Sequence, residues 1–151
     1  TSVTGVQTCA LPISFERDLK AIPDIEHTLD ALDAMKIRYC VASSGMPEKI
    51  HHSLTLTGLL HRFDGHLFSA AQVEHGKPAP DLFLLAARTL GIAPADCWVI
   101  EDSPAGVQGA KAAGMRVLGF TGGSHCGPRY AEKLSAADAV FADMRDLLNY
   151  L

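Results

Sequence analysis

Short apolar runs bounded by glycine or proline alternate along this chain with longer stretches whose apolar residues recur at helical spacing. That alternation points to a parallel sheet covered on both faces by helices. A strand buried on both sides reads as an unbroken apolar run, and a helix lying on it shows one apolar stripe. The spacing predicts a first helix from near Pro23, with Ile25, Leu29, Leu32 and Met35 on one face, followed at once by a strand over 38–42 (RYCVA). A second helix covers 47–57, turns Ile50 and Leu54 inward and stops at Gly58; a short strand follows at 67–70. Residues 80–90 are helical with Gly91 as the stop, and 97–100 (CWVI) form a strand that leads into Glu101 and Asp102. A helix over 104–113 stops at Gly114, a strand covers 115–120, and helix 130–136, strand 139–141 and helix 144–151 complete the order. The expected class is α/β: a three-layer, doubly wound parallel sheet with a Rossmann-like core.

With 151 residues, 48% of them hydrophobic and 20% charged, the chain reads as one ordinary globular domain. Its 13 basic and 17 acidic residues give a net charge of −4, so no positive field exists to hold nucleic acid or an anionic membrane surface. No stretch of this sequence approaches the roughly 18 apolar residues of a membrane span. Cys9, Cys40, Cys97 and Cys126 lie far apart with no CxxC pair, which favours a reduced, cytoplasmic setting over a disulfide scaffold. Residues 1–14 (TSVTGVQTCALPIS) stand outside the strand–helix pattern, being polar, Thr-rich and interrupted by Pro12; they are set aside as a tail not native to the domain.

Three polar features fall just beyond the C-terminal ends of expected strands, where open parallel sheets place their ligands. They are Ser43-Ser44-Gly45, His75-Gly76-Lys77-Pro78 and Glu101-Asp102-Ser103. A hydroxyl, an ammonium and a carboxylate pair converging on one sheet edge suit a phosphate monoester held with a divalent cation, because carboxylates take the hard cation and lysine neutralises phosphate oxygens. Each feature alone has a plainer reading. Adjacent acids at a strand end commonly cap a helix, a lone lysine is commonly solvated, and Ser-Gly is common in turns. Three such features, each after its own apolar strand, are far more specific together.

The order VASSGMP, HGKPAPDLF, VIEDSPAGVQGAKAAGM and VLGFTGG resembles the haloacid dehalogenase superfamily, in its phosphatase and β-phosphoglucomutase-like branch. The resemblance covers about residues 15–151. It implies a haloacid dehalogenase-like core, with 15–22 a remnant of the cap region and 23–151 the incomplete core domain. The activity implied for the intact protein is magnesium-dependent hydrolysis of a small phosphorylated metabolite, a sugar phosphate or sugar-acid phosphate, through an aspartyl-phosphate. By the same resemblance Ser43 is the phosphate-binding hydroxyl and Lys77 the catalytic, phosphate-neutralising lysine. Asp102 is the magnesium ligand, Glu101 its companion acid, and Ser44 and Gly45 lend backbone donors. A monomer or weak homodimer is expected, with no nucleic-acid or membrane partner.

The sequence departs from that family in one decisive respect. The superfamily's first motif is a D-x-D whose first Asp is the nucleophile, and no D-x-D occurs here; Asp18, Asp24, Asp30 and Asp33 precede the Ser43 strand without following an apolar run. The first strand and most of the helical cap are therefore expected to be missing, the chain being a C-terminal part that is inactive alone. An empty central slot leaves unpaired strand edges at about 1–3 kcal/mol per buried group, so instability is expected unless another segment fills it; Pro12 argues against the tail doing so. A sugar phosphomutase and a noncatalytic phosphate- or partner-binding α/β fragment are the alternatives, while a receiver-type signalling domain has the wrong order of motifs. The seven histidines show no metal-binding spacing, with His75 worth testing for its position beside Gly76-Lys77, and Gly122-Gly123 are assigned to a mobile loop.

Overall fold

The structure, a computed structural model, describes residues 2–4 and 19–151. Six strands, β1 (Ser2–Thr4), β2 (Arg38–Ser43), β3 (Leu67–Ser69), β4 (Cys97–Glu101), β5 (Arg116–Phe120) and β6 (Ala139–Phe141), form one sheet in the order β3-β2-β1-β4-β5-β6. Every neighbouring pair is parallel. Among the described residues four α-helices, α1 (Ile25–Ala34), α2 (Pro47–Leu56), α3 (Asp81–Leu90) and α4 (Pro104–Ala112), connect or flank the strands.

The two-residue period of a strand divides the sheet between two cores. Val41, Ile100, Leu118 and Phe120 face one side and pack with Ile25, Leu29 and Leu32 of α1 and Ile50 and Leu54 of α2. Cys40, Ala42, Val99 and Val117 face the other and pack with Leu82, Phe83 and Ala86 of α3 and Val107 and Ala110 of α4. This is the three-layer, doubly wound arrangement expected from the sequence.

Helix bounds follow the stop signals closely. Gly91 takes φ 65° at the end of α3, and Gly58 and Gly114 lie past α2 and α4 with φ 73° and 74°, a left-handed conformation that glycine adopts without steric penalty. Met35 does not join the α1 stripe: it is the C-cap residue, after which the chain turns away, and it is 49% exposed. The last two helices expected from the sequence are 3₁₀ segments, Tyr130–Leu134 and Met144–Asn149. In the second, Asp143 caps the first turn by accepting from the Arg145 amide, and the buried Met144 and Leu147 are spaced by three, the period of a 3₁₀ turn.

The central slot is not empty. Val3 pairs with Tyr39 on one side and Trp98 on the other, and β1 covers Arg38 to Cys40 and Cys97 to Val99. Pro12 argues against a central strand only at its own position: the paired residues lie upstream of it and keep their amide donors for the ladder. The tail assigned to 1–14 otherwise lies outside the described residues.

Candidate phosphate and cation site

β2, β3 and β4 end at the same edge of the sheet, and their terminal residues build the site. Ser43, the last residue of β2, is buried, and its hydroxyl accepts a hydrogen bond from the Gly45 amide at 3.1 Å. The Gly45 amide, expected as a backbone donor to phosphate, is thus engaged by Ser43 in this state. The turn is held from the other side by Ser69 at the end of β3, whose hydroxyl donates to the Gly45 carbonyl at 2.7 Å. Ser69 is itself fixed by a capping box, its amide donating to Gln72 Oε1 at 2.7 Å and its hydroxyl accepting from the Ala71 amide at 3.2 Å. Met46 then leads into α2, with Pro47 in the first turn.

Lys77 arrives from the loop before α3. Its side chain is 2% exposed, and Nζ donates to the Ala42 carbonyl at 3.1 Å and to Glu101 Oε1. The ammonium also lies 4.9 Å from the centre of the Phe83 ring, whose face attracts a cation. Lys77 therefore ties the end of β2 to the end of β4 across the position of β1. Glu101 Oε2 accepts from both the Ser103 amide, at 3.2 Å, and the Ser103 hydroxyl, at 2.9 Å. Glu101 was expected as a companion cation ligand; both of its oxygens are held here by Lys77 and Ser103.

Asp102 lies beside this pair at the mouth of the site. Burial pushes its carboxyl pKa up and the Glu101 charge adds to the rise, while His125 and Lys77 pull the other way. His125 Nε2 approaches Asp102 Oδ2 at 3.4 Å, Cys126 Sγ lies 3.4 Å from the same ring nitrogen, and Tyr130 donates its hydroxyl to the Asp102 carbonyl at 3.0 Å. The 121–127 loop, assigned from the sequence to a mobile connection, thus reaches the carboxylate. Gly123 permits it, since a Cβ there would lie 2.8 Å from the His125 ring.

The structure brings together Ser43, Lys77, Glu101 and Asp102 and leaves His75 apart, where its exposed ring meets Asp81 at 3.3 Å. Sequence reasoning missed Ser69, His125 and Tyr130, and it placed Ser103 beside Glu101-Asp102 without giving it a role. Ser103 before Pro104 carries an N-cap signature that could have given it that role, whereas nothing local marks His125 or Tyr130. Among the described residues no group of three or more His, Cys, Asp or Glu side chains is arranged to hold a metal ion by itself. The oxygen donors of Asp102 and Glu101 are nonetheless of the hard type that magnesium prefers.

The sequence profile of haloacid dehalogenase-like hydrolases matches residues 11–114. The chain belongs to the haloacid dehalogenase-like hydrolases. Among curated relatives it is 36% identical over 138 residues to a probable pseudouridine-5'-phosphatase of Drosophila melanogaster, covering 86% of this chain and 57% of that protein. It is 34% identical over 114 residues to the 6-phosphogluconate phosphatase of Escherichia coli K12, covering 76% of this chain and 50% of that one. A haloacid dehalogenase family hydrolase of Deinococcus radiodurans R1, solved with bound phosphate and sodium, superposes with a TM-score of 0.79 at 34% identity over 85% of this chain and 57% of that chain. The chain spans about half the length of the curated relatives it matches.

Proposed function

We propose that this chain is the phosphate- and cation-binding part of a magnesium-dependent phosphohydrolase acting on a small sugar phosphate or sugar-acid phosphate. The observation that carries the reading is the convergence at one sheet edge of Ser43, Lys77 and the Glu101–Asp102 pair, contributed by segments far apart in sequence. The family membership and the phosphatase names of the relatives support the reaction class, and the relative solved with phosphate supports the ligand.

In this reading Lys77, fixed by Glu101 and the Ala42 carbonyl, holds its positive charge where phosphate oxygens dock. Ser43 orients the phosphate by donating its hydroxyl proton to a phosphate oxygen while its lone pair still accepts from the Gly45 amide, and the Ser44 amide, or that of Gly45 on leaving Ser43, adds a backbone donor to the same anion. Asp102 is the side chain that holds the cation, and Glu101 serves it by fixing Lys77. Magnesium, when bound, supplies charge neutralisation to the transferring phosphoryl group. No carboxylate stands on β1, whose residues are Ser2, Val3 and Thr4, and no aspartate occurs before Asp18. The nucleophile of an aspartyl-phosphate route is therefore not assigned to any residue of this chain.

That same feature favours a second reading, a noncatalytic module that binds phosphate without turnover. The test is phosphate release from a panel of sugar phosphates and sugar-acid phosphates by the complete gene product with magnesium, beside its Asp102→Ala variant. Turnover abolished in the variant is the expected result. Near-normal turnover in the variant refutes the assignment of Asp102, and no turnover by the complete gene product favours the noncatalytic module. Product analysis separates hydrolysis from phosphomutase chemistry, which returns the phosphoryl group to another hydroxyl.

A further inference from the structure

Glu101 is 1% exposed and carries a negative charge on the last residue of a central strand, a position that needs more than one partner to be tolerable. Lys77 supplies one at Oε1, and Ser103 donates to Oε2 through both its amide and its hydroxyl. The Ser103 hydroxyl acts in two directions at once. It donates to Glu101 Oε2 at 2.9 Å and accepts from the Gly106 amide at 3.1 Å, capping α4. A carboxylate gripped at a helix N-terminus also gains from the helix dipole. Gly106 supplies the room: a Cβ built on it would lie 2.0 Å from the Glu101 carboxyl carbon and 2.1 and 2.3 Å from its two oxygens. Those distances are far inside any real contact, and Gly106 has no positive φ that would otherwise call for glycine.

We propose that Ser103 and Gly106 are positioning residues for Lys77: the hydroxyl locks the Glu101 carboxylate in one rotamer over the start of α4, the bare Cα of Gly106 leaves space for it, and the locked carboxylate sets where the ammonium points. This deepens the phosphate-site reading, since it rests on Lys77 as the group that meets phosphate. It assigns Ser103 a role that a helix cap alone does not require. A cap needs only an acceptor for the Gly106 amide, whereas positioning needs the hydroxyl proton delivered to Glu101.

The test reads Lys77 directly in the resting protein, without substrate. A ¹H–¹⁵N correlation spectrum of lysine side-chain ammonium groups at low temperature, with the Lys77 peak assigned by its loss in Lys77→Met, is compared in the wild-type chain and in Ser103→Ala, Ser103→Thr, Ser103→Asp and Gly106→Ala. An ammonium held by a carboxylate exchanges slowly and gives a sharp peak. The expected result is that Lys77 shifts or broadens beyond detection in Ser103→Ala and Gly106→Ala, and returns in Ser103→Thr, which keeps the hydroxyl. Ser103→Asp, which keeps the cap acceptor but donates no proton, should fail to restore it. An unchanged Lys77 peak in Ser103→Ala, with the backbone spectrum still folded, overturns the proposal. So does full restoration by Ser103→Asp, which would make the cap sufficient. If Gly106→Ala unfolds the chain, the three Ser103 variants decide alone. Failure of the phosphohydrolase reading would show as absent turnover with the Lys77 peak behaving as stated here, so the two failures are distinguishable.

Discussion

Replacing Lys77 with methionine removes a positive charge of which only 2% of the side chain is exposed, and leaves Glu101, 1% exposed, facing an apolar chain at Oε1. Solvent cannot screen a group this buried, so the full penalty of an uncompensated charge applies. Breaking a buried ion pair from one side costs about 3–5 kcal/mol. The lost bond to the Ala42 carbonyl adds about 1 kcal/mol, and the Met sulfur against the Phe83 ring returns part of it. For a chain of this size each kcal/mol moves Tm by about 2–4 °C, so Lys77→Met should lower Tm by roughly 6–20 °C. Removing the charge on both sides, as Lys77→Met with Glu101→Leu, should recover a large share of that loss, because two apolar chains leave no unpaired charge. Calorimetry or urea titration of the two single variants and the double variant measures the coupling. A Lys77→Met variant within about 1 kcal/mol of wild type, or a double variant no more stable than the worse single one, would refute the reasoning that the pair is closed to water.

Two further outcomes follow from the fold. Cys40 and Cys97 are buried on the two strands that flank β1, and burial pushes the Cys40 thiol up to about 12, with the neighbouring Cys97 adding to the rise. In a Cys9→Ser background only Cys126 should react with a thiol reagent at pH 8, and deletion of residues 1–4 should make Cys40 and Cys97 reactive; protection unchanged by the deletion would remove β1 from the account of the slot. Asp138 is half-exposed; its burial raises the carboxyl pKa, but the Lys111 ammonium at 2.6 Å and the Val117 amide at 2.7 Å outweigh this and hold it below 3.8. A depressed folded-state pKa gives stability that is present above 3.8 and is lost as pH falls through the lower folded value, so Asp138→Asn should flatten the acid limb of the stability curve below pH 4 and leave its slope near pH 7 unchanged. A limb as steep in the variant as in wild type would contradict the assignment.

The elements that sequence reading placed well are those whose signals are local. The apolar runs of β2, β4 and β5 and the stripe Ile25, Leu29, Leu32 needed only a period, and Gly58, Gly91 and Gly114 marked their helix ends by a backbone freedom that no neighbour decides. Lys77, Ser43 and Asp102 were legible because strand ends in a parallel sheet share one edge. What escaped was set by contacts between distant segments. Glu101 pairs with Lys77, 24 residues earlier, and the Ser69 hydroxyl reaches back 24 residues to the Gly45 carbonyl. His125 meets Asp102 only because the Gly122-Gly123 loop folds over it, a placement that no period or motif announces. The three residues that fill the central slot carry too short a pattern to read as a strand; they become one only between β2 and β4.

The central claim is that the ends of β2 and β4 and the Lys77 loop form one site for phosphate with a divalent cation. The most direct measurement is titration of this chain with Mn²⁺, followed by EPR of the free ion, with and without inorganic phosphate, in the wild-type, Asp102→Asn and Lys77→Met proteins. The account predicts that phosphate tightens Mn²⁺ binding in wild type, that Asp102→Asn weakens Mn²⁺ at least about tenfold, and that Lys77→Met removes the phosphate effect. Mn²⁺ binding unchanged by Asp102→Asn, or a phosphate effect that survives the loss of Lys77, would contradict it.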